Sequence, residues 1–166
     1  MSDYAVIALG EALLELMQDS DIEKVTVDAL AAWAGIGRAT YFRNFKSKEE
    51  VLARYIALKW RRFESENRLD ERRIDDPYRV RRYFEFCYAM RAANDAILRQ
   101  NRAGVILNAY ELIFGTYGDS YESAFTAYGL YGVLLKWAQT GYRQTPEEMT
   151  EIVIERIFSG AGLEGM

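Results

Sequence analysis

An all-α fold is predicted by three observations. Apolar residues recur at steps of three and four in one segment after another. The two prolines, Pro77 and Pro146, each follow a residue suited to cap a helix, so both mark helix starts and neither breaks one. No stretch alternates apolar and polar residues as a half-buried strand does. About nine helices are expected, three in an N-terminal helix-turn-helix domain and the rest in a helical C-terminal domain.

The first helix, over residues 4–18, carries Leu9, Leu13, Leu16 and Met17 on one side and mainly Glu11, Glu15 and Asp19 on the other. The segment "DSDIEKVT" breaks it. Thr26 caps the second helix, where Val27, Leu30, Ala31 and Ala34 form the apolar stripe. Gly35 ends that helix as a left-handed C-cap, and Ile36 plugs the junction. A short third helix runs from near Gly37 to about Asn44, which makes the pair a helix-turn-helix unit.

Ser47 opens the fourth helix through the capping box "SKEE", with Glu50 reaching back. Val51, Leu52, Tyr55, Ile56 and Trp60 give it an apolar face to about Arg68. The charged connector "LDERRIDDPYR" leads to Asp76-Pro77, the start of a fifth helix bearing Val80, Phe84, Cys87, Tyr88 and Arg91. Residues 92–118 hold two further helices, broken near "NRAG" and stopped at "TYGD". A long helix spans about Ser120 to Thr140 and ends at Gly141. Finally "TPEE", Thr145 to Glu148, starts a helix running to about Ser159. The domain division is 1–46 for the helix-turn-helix and 47–166 for the regulatory and dimerisation part, with 47–68 as the connecting helix.

Composition excludes several classes of function. The single cysteine, Cys87, forms no intramolecular disulfide and no multi-cysteine zinc site, and it fits a reducing compartment. Its aromatic neighbours in sequence read it as buried and inert. Histidine is absent, which removes the commonest general base and transition-metal ligand. No catalytic motif, phosphate-cradling loop or metal spacing is present. The pairs Asp75/Asp76 and Glu147/Glu148 read as helix-start residues rather than acid/base couples. These features predict a protein that is not an enzyme and needs no cofactor or metal. With no signal peptide and no apolar run of about eighteen residues, the expected location is cytoplasmic, away from membranes.

Charge is divided along the chain although the net value is −4. From Gly37 to Arg62, Arg38, Arg43, Lys46, Lys48, Arg54, Lys59, Arg61 and Arg62 face only Glu49 and Glu50. From Gly104 onward carboxylates dominate. The basic part coincides with "GIGRATYFRNFKSKEE", and the second helix of a helix-turn-helix presents its outer face to a major groove. At 100° per residue, Tyr41 and Phe45 share the inner side and close a small core with Leu30 and Ile36. Arg38, Thr40, Phe42, Arg43 and Asn44 spread over the remaining arc. Arg38, near the helix start, matches guanine O6 and N7, and Thr40 suits a thymine methyl or a phosphate. Arg43, Lys46 and Lys48 suit phosphates, as do the free N–H groups at the start of the fourth helix. Taken without its surroundings, such a charge run also describes a solvated face.

The run "KVTVDALAAWAGIGRATYFRNFKSKEEVL" resembles the DNA-binding domain of the tetracycline-repressor (TetR) family of bacterial regulators. The likeness runs through Thr26, Ala34-Gly35-Ile36, Arg38, Thr40, the aromatic pair 41–42, Phe45 and Ser47-Lys48-Glu49, over roughly residues 5–60. "LYGVLLKWAQTGYRQTPEEM" is similar to the last helix–turn–helix of one subgroup. The resemblance implies a homodimer with two heads on a palindromic double-stranded operator, a four-helix interface, and a ligand pocket among the central helices. It places Thr26, Gly37, Arg38, Thr40, Tyr41, Phe42, Arg43, Asn44, Lys46 and Lys48 at the DNA. The family's usual tyrosine is Phe42 here, and its usual serine or threonine is Gly37, so a hydroxyl is missing at each position. A protein-interaction module that has lost operator binding is the alternative reading.

The C-terminal part is rich in rings. Tyr83, Phe84, Cys87, Tyr88, Arg91, Tyr110 and Phe114 are the candidates for a pocket taking a small lipophilic or aromatic effector; the same residues equally describe a helical core. Tyr117 extends that aromatic wall. For dimerisation the candidates are Tyr121, Tyr128, Tyr131, Leu135, Ile154 and Phe158, where large and small residues alternate and the apolar positions exceed one buried face.

Overall fold

The structure is a computed structural model, and it describes residues 2–115 and 121–158. Nine α-helices are present among them: α1 (Asp3–Asp19), α2 (Val27–Ala34), α3 (Arg38–Asn44), α4 (Lys48–Glu66), α5 (Pro77–Ala89), α6 (Arg91–Arg99), α7 (Ala103–Phe114), α8 (Tyr121–Gln139) and α9 (Pro146–Glu151). The expected stop at "TYGD" and the ring of Tyr117 lie outside the described residues. No helix is long and apolar enough to cross a membrane among the described residues.

Local chemistry explains most of the boundaries. The Thr26 hydroxyl oxygen accepts from Ala29 N–H at 3.1 Å and so caps α2. At its other end Gly35 turns left-handed at φ 64°, which lets Ile36 N–H donate to Ala31 O at 2.9 Å. Asp76 caps α5 by accepting from Arg79 N–H, with Pro77 at the first helical position. Thr145 and Glu148 form a complete capping box at α9. The box at α4 is shifted: Ser47 accepts from Glu50 N–H, but the Glu50 carboxylate takes the N–H of Lys46 at 2.7 Å.

One helix expected to run evenly to about Ser159 instead changes winding. After Glu151 the chain continues as a π-helical segment, Ile152–Phe158, which opens on three β-branched residues that crowd an α-helical turn. Ser159 lies outside the described residues.

The helix α4 is the shared wall of the molecule. It packs on α1 on one side and on α7 on the other. Leu9, Leu13, Leu52, Tyr55, Ile56, Trp60, Phe84, Ile97, Ile106 and Trp137 are all buried in one continuous core. Close approach of α1 and α4 depends on Gly10, because a Cβ there would lie 2.4 Å from Cγ of Tyr55. Between α4 and α5 the buried Glu64 and Arg79 form an ion pair at 2.8 Å, and Arg79 also donates to the carbonyl of Arg72 at 2.6 Å. The connector expected to be merely charged contains Leu69, which is fully buried and anchors it.

Two straps join the N-terminal helices to α6. The Gln100 amide donates to the carbonyls of Met17 (3.2 Å) and Ser20 (3.1 Å) and accepts from Ile22 N–H (2.7 Å). Beside it Arg102 pairs with Glu23 and, at 3.8 Å, with Glu49.

Alanine normally favours a helix over glycine by about 1 kcal/mol. Gly10→Ala is nevertheless expected to cost about 1–3 kcal/mol, because the Tyr55 ring must move. Urea unfolding checks this, with Gly104→Ala as the control, since nothing of the chain lies within 4 Å of that Cβ position.

Candidate nucleic-acid interface and effector pocket

The outer arc of α3 is open to solvent. Arg38, Phe42, Arg43 and Lys46 are exposed, whereas the rings of Tyr41 and Phe45 are buried against Leu30. Burial, then the nearby Glu49 and Glu50, raises the Tyr41 hydroxyl above its ordinary pKa. Tyr41 therefore supports the helix from behind, and Phe42 is the ring that faces outward, 56 % exposed. Gly37 caps α3 without a side chain, its carbonyl accepting from Thr40 N–H at 2.8 Å.

Arg38 is already oriented. Its Nη1 lies 3.2 Å from the Asp28 carboxylate on α2, and its guanidinium stacks over Phe42 with Cζ 5.3 Å from the ring centroid. Both ionic partners are exposed, so the pair adds little stability; it restricts where the guanidinium points. Arg43 and Lys46 have no ion-pair partner among the described residues. Thr40 and Asn44 are half-buried, and the Asn44 amide donates to Thr40 O at 2.7 Å, leaving its oxygen outward-capable. The Thr26 hydroxyl accepts in its cap and keeps its own proton to donate.

Lys48 has another occupation than the phosphate contact expected of it. Its ammonium donates to the carbonyls of Ile22, Val25 (2.7 Å) and Glu23 (3.3 Å), so its three protons hold the α1–α2 turn onto the start of α4. The contacts lie 23 to 26 residues apart in sequence, which a local reading of "SKEE" does not reach.

The expected pocket residues divide. Tyr83, Phe84, Cys87, Tyr110 and Phe114 are buried together, and the Tyr83 and Tyr110 hydroxyls bond each other. Burial pushes both phenols well above their ordinary range and pushes the Cys87 thiol up to about 12. Of the seven candidates Tyr83 and Phe114 line a cavity, which also touches Trp60 and Arg79 and measures about 20 Å³, room for one water. Tyr88 and Arg91 are exposed, stacked on each other at 4.2 Å, and face no interior space. The aromatic cluster in this state is a closed core.

On α8 the picture is the opposite. Tyr121 (97 % exposed), Phe125 (70 %) and Tyr128 (52 %) follow one another at steps of four and three, and the exposed Gly132 and half-buried Leu135 continue the stripe. Phe125, absent from the sequence-based dimer candidates, belongs to the same stripe. Tyr131 and Ile154 are half-buried against the chain's own core. The side chain of Phe158 lies outside the described residues. No cluster of metal-binding side chains occurs among the described residues.

Comparison with known proteins agrees with this geometry. Residues 10–55 match the family model described as bacterial regulatory proteins, tetR family. In structure the chain is similar to a Clostridium perfringens protein described provisionally as a fatty acid metabolism regulator, with a TM-score of 0.50 and 20 % identity. The match covers 92 % of this chain and 97 % of that one and shows a shared fold. No curated protein matches the chain significantly.

Lys48→Met keeps the aliphatic stem and removes three donors. It is expected to cost about 1.5–3 kcal/mol in urea unfolding; a lysine reserved for phosphate would leave the unfolding curve unchanged. For Cys87, reaction with Ellman's reagent at pH 8 should be at least about a hundredfold slower in the native protein than in the guanidinium-unfolded chain, since the thiolate is both scarce and covered.

Proposed function

Because the chain carries the N-terminal DNA-binding domain of the tetR family of bacterial regulatory proteins, we propose that it acts as a homodimeric repressor of a palindromic operator, released by a small effector. The observation that carries this reading is the outer face of α3. Arg38 is held by Asp28 and Phe42 at the helix start, where base edges come nearest, and the free cations Arg43 and Lys46 stand beside it for phosphates. Phe42 offers an apolar edge for a thymine methyl or a sugar in place of a hydroxyl for phosphate. Thr26, Gly37, Thr40 and Asn44 complete the contact surface, while Tyr41 and Lys48 act through the helices they fix.

The α8 stripe supports the dimer. Its four–three spacing is that of a seam between paired helices. Gly129 and Gly132 weaken a helix interior, and nothing of their own chain lies within 4 Å of their Cβ positions, so space for a partner helix is what they supply. A two-fold axis there presents two α3 helices to half-sites one helical turn, roughly 34 Å, apart. The effector acts by favouring a head spacing that no longer fits, which requires that it bind the two states unequally. It enters by opening the closed aromatic core between α4, α5, α7 and α8. The link to the heads runs through α6, where Gln100 and Arg102 hold α1 and the following turn.

The test is binding of the purified protein to the DNA flanking its own coding region at about 50 mM and about 200 mM salt, read by fluorescence anisotropy with sedimentation for stoichiometry. Two chains per site are expected, with affinity falling on the order of 10³-fold across that range. An Arg38→Ala, Thr40→Ala variant should lose specific binding while keeping its fold. A folded dimer that binds neither this DNA nor any member of a random-sequence pool would overturn the operator reading in favour of a protein partner.

A further inference from the structure

Outside the aromatic core, two adjoining clefts lie where α1, α4 and the α5–α6 junction meet. A cleft of about 740 Å³ runs between α1 (Leu14, Met17), α4 (Tyr55, Lys59) and the start of α6. A second, of about 400 Å³, is floored by Ile7, Phe63 and Phe86. The two share Lys59, Ala89 and Met90, so they form one trough that bends over the α5–α6 junction. Each has the size of a small-molecule site. The trough exists because side chains at that junction are short: Ala89, Ala92, Ala93 and Ala96 leave the backbone close to the surface, and Met90 is the flexible exception.

Its charge is one-sided. No acidic residue lines the larger cleft, whereas Lys59 and Arg99 do. Neither has a carboxylate partner among the described residues; the Lys59 ammonium lies 5.9 Å from the Tyr55 ring centroid. Burial raises the Tyr55 hydroxyl above its ordinary pKa and Glu11 adds to it, but Glu11 is not among the lining residues. In the smaller cleft Arg62 already pairs with Asp3 at 3.3 Å, and Glu66 also lines it. Two free cations, Lys59 and Arg99, therefore line the larger cleft, and the smaller one, floored by Ile7, Phe63 and Phe86, is neutralised.

We propose that this trough is a binding site, separate from the aromatic core, for a single-chain amphiphilic anion. The anionic head lies between Lys59 and Arg99, and the alkyl chain passes Met90 onto Ile7, Phe63 and Phe86. Gln100 lines the same cleft, so the head group sits against the amide that holds α1. Occupancy thus bears directly on the link between the DNA-contacting helices and α6.

The probe is decanoate, titrated into the full chain by calorimetry below its micellar concentration, beside decan-1-ol and decyltrimethylammonium. One decanoate per chain is expected, with the neutral and cationic analogues at least about tenfold weaker. A Lys59→Gln, Arg99→Gln variant should lose about tenfold in decanoate affinity, and Ala93→Leu, which keeps the charges and fills the trough, should lose as much. Equal binding of decanol, or undiminished decanoate binding by the folded double variant, would overturn the proposal. Neither substitution touches the α3 face, so operator affinity measured without ligand on the same proteins shows independently whether the regulator reading holds.

Discussion

The Tyr55 ring occupies the place where a side chain at position 10 would be, and the arrangement of both domains follows from that contact. With glycine there, α4 lies flat on α1 and its N-terminal half closes the core that holds Tyr41 and Phe45 of α3 and its C-cap. Its C-terminal half carries Trp60 and Glu64 into the other domain. One helix thus runs the length of a single continuous core, and any shift of α4 is felt at both of its ends. The path from α3 to α8 thus runs through α2, α1, α4 and α7 in turn.

Polar groups buried along α4 are spent on position rather than stability. Removing water from Glu64 and Arg79 costs about as much as their attraction returns, so the pair's effect is to fix how α5 crosses α4. Lys48 does the same for the α1–α2 turn with three carbonyls. The exposed Arg38–Asp28 pair differs in kind, since solvent screens it and neither member is held away from water.

Local chemistry was readable from the sequence and distant chemistry was not. Thr26, Gly35, Asp76-Pro77, Gly141 and Thr145 each determine a boundary through groups within a few residues, and those boundaries appeared where expected. The inner and outer sides of α3 followed from its periodicity. What escaped was set across long separations. Lys48 turned inward to carbonyls more than twenty residues away, Leu69 was buried from within a charged run, and Tyr83 met Tyr110 in a core with no room for a ligand. Aromatic density told that rings would gather, but whether they enclose a cavity depends on how facing helices interdigitate, which no single segment specifies.

The Gln100 clamp has a consequence for how the two parts of the molecule respond to their surroundings. An amide carries no net charge and does not titrate, so its three bonds to the end of α1 persist through changes of pH and ionic strength. Arg102 and its carboxylates, by contrast, weaken as ions accumulate. The joint therefore has a permanent pivot and a spring whose stiffness the medium sets. Rising ionic strength would loosen this joint without detaching it.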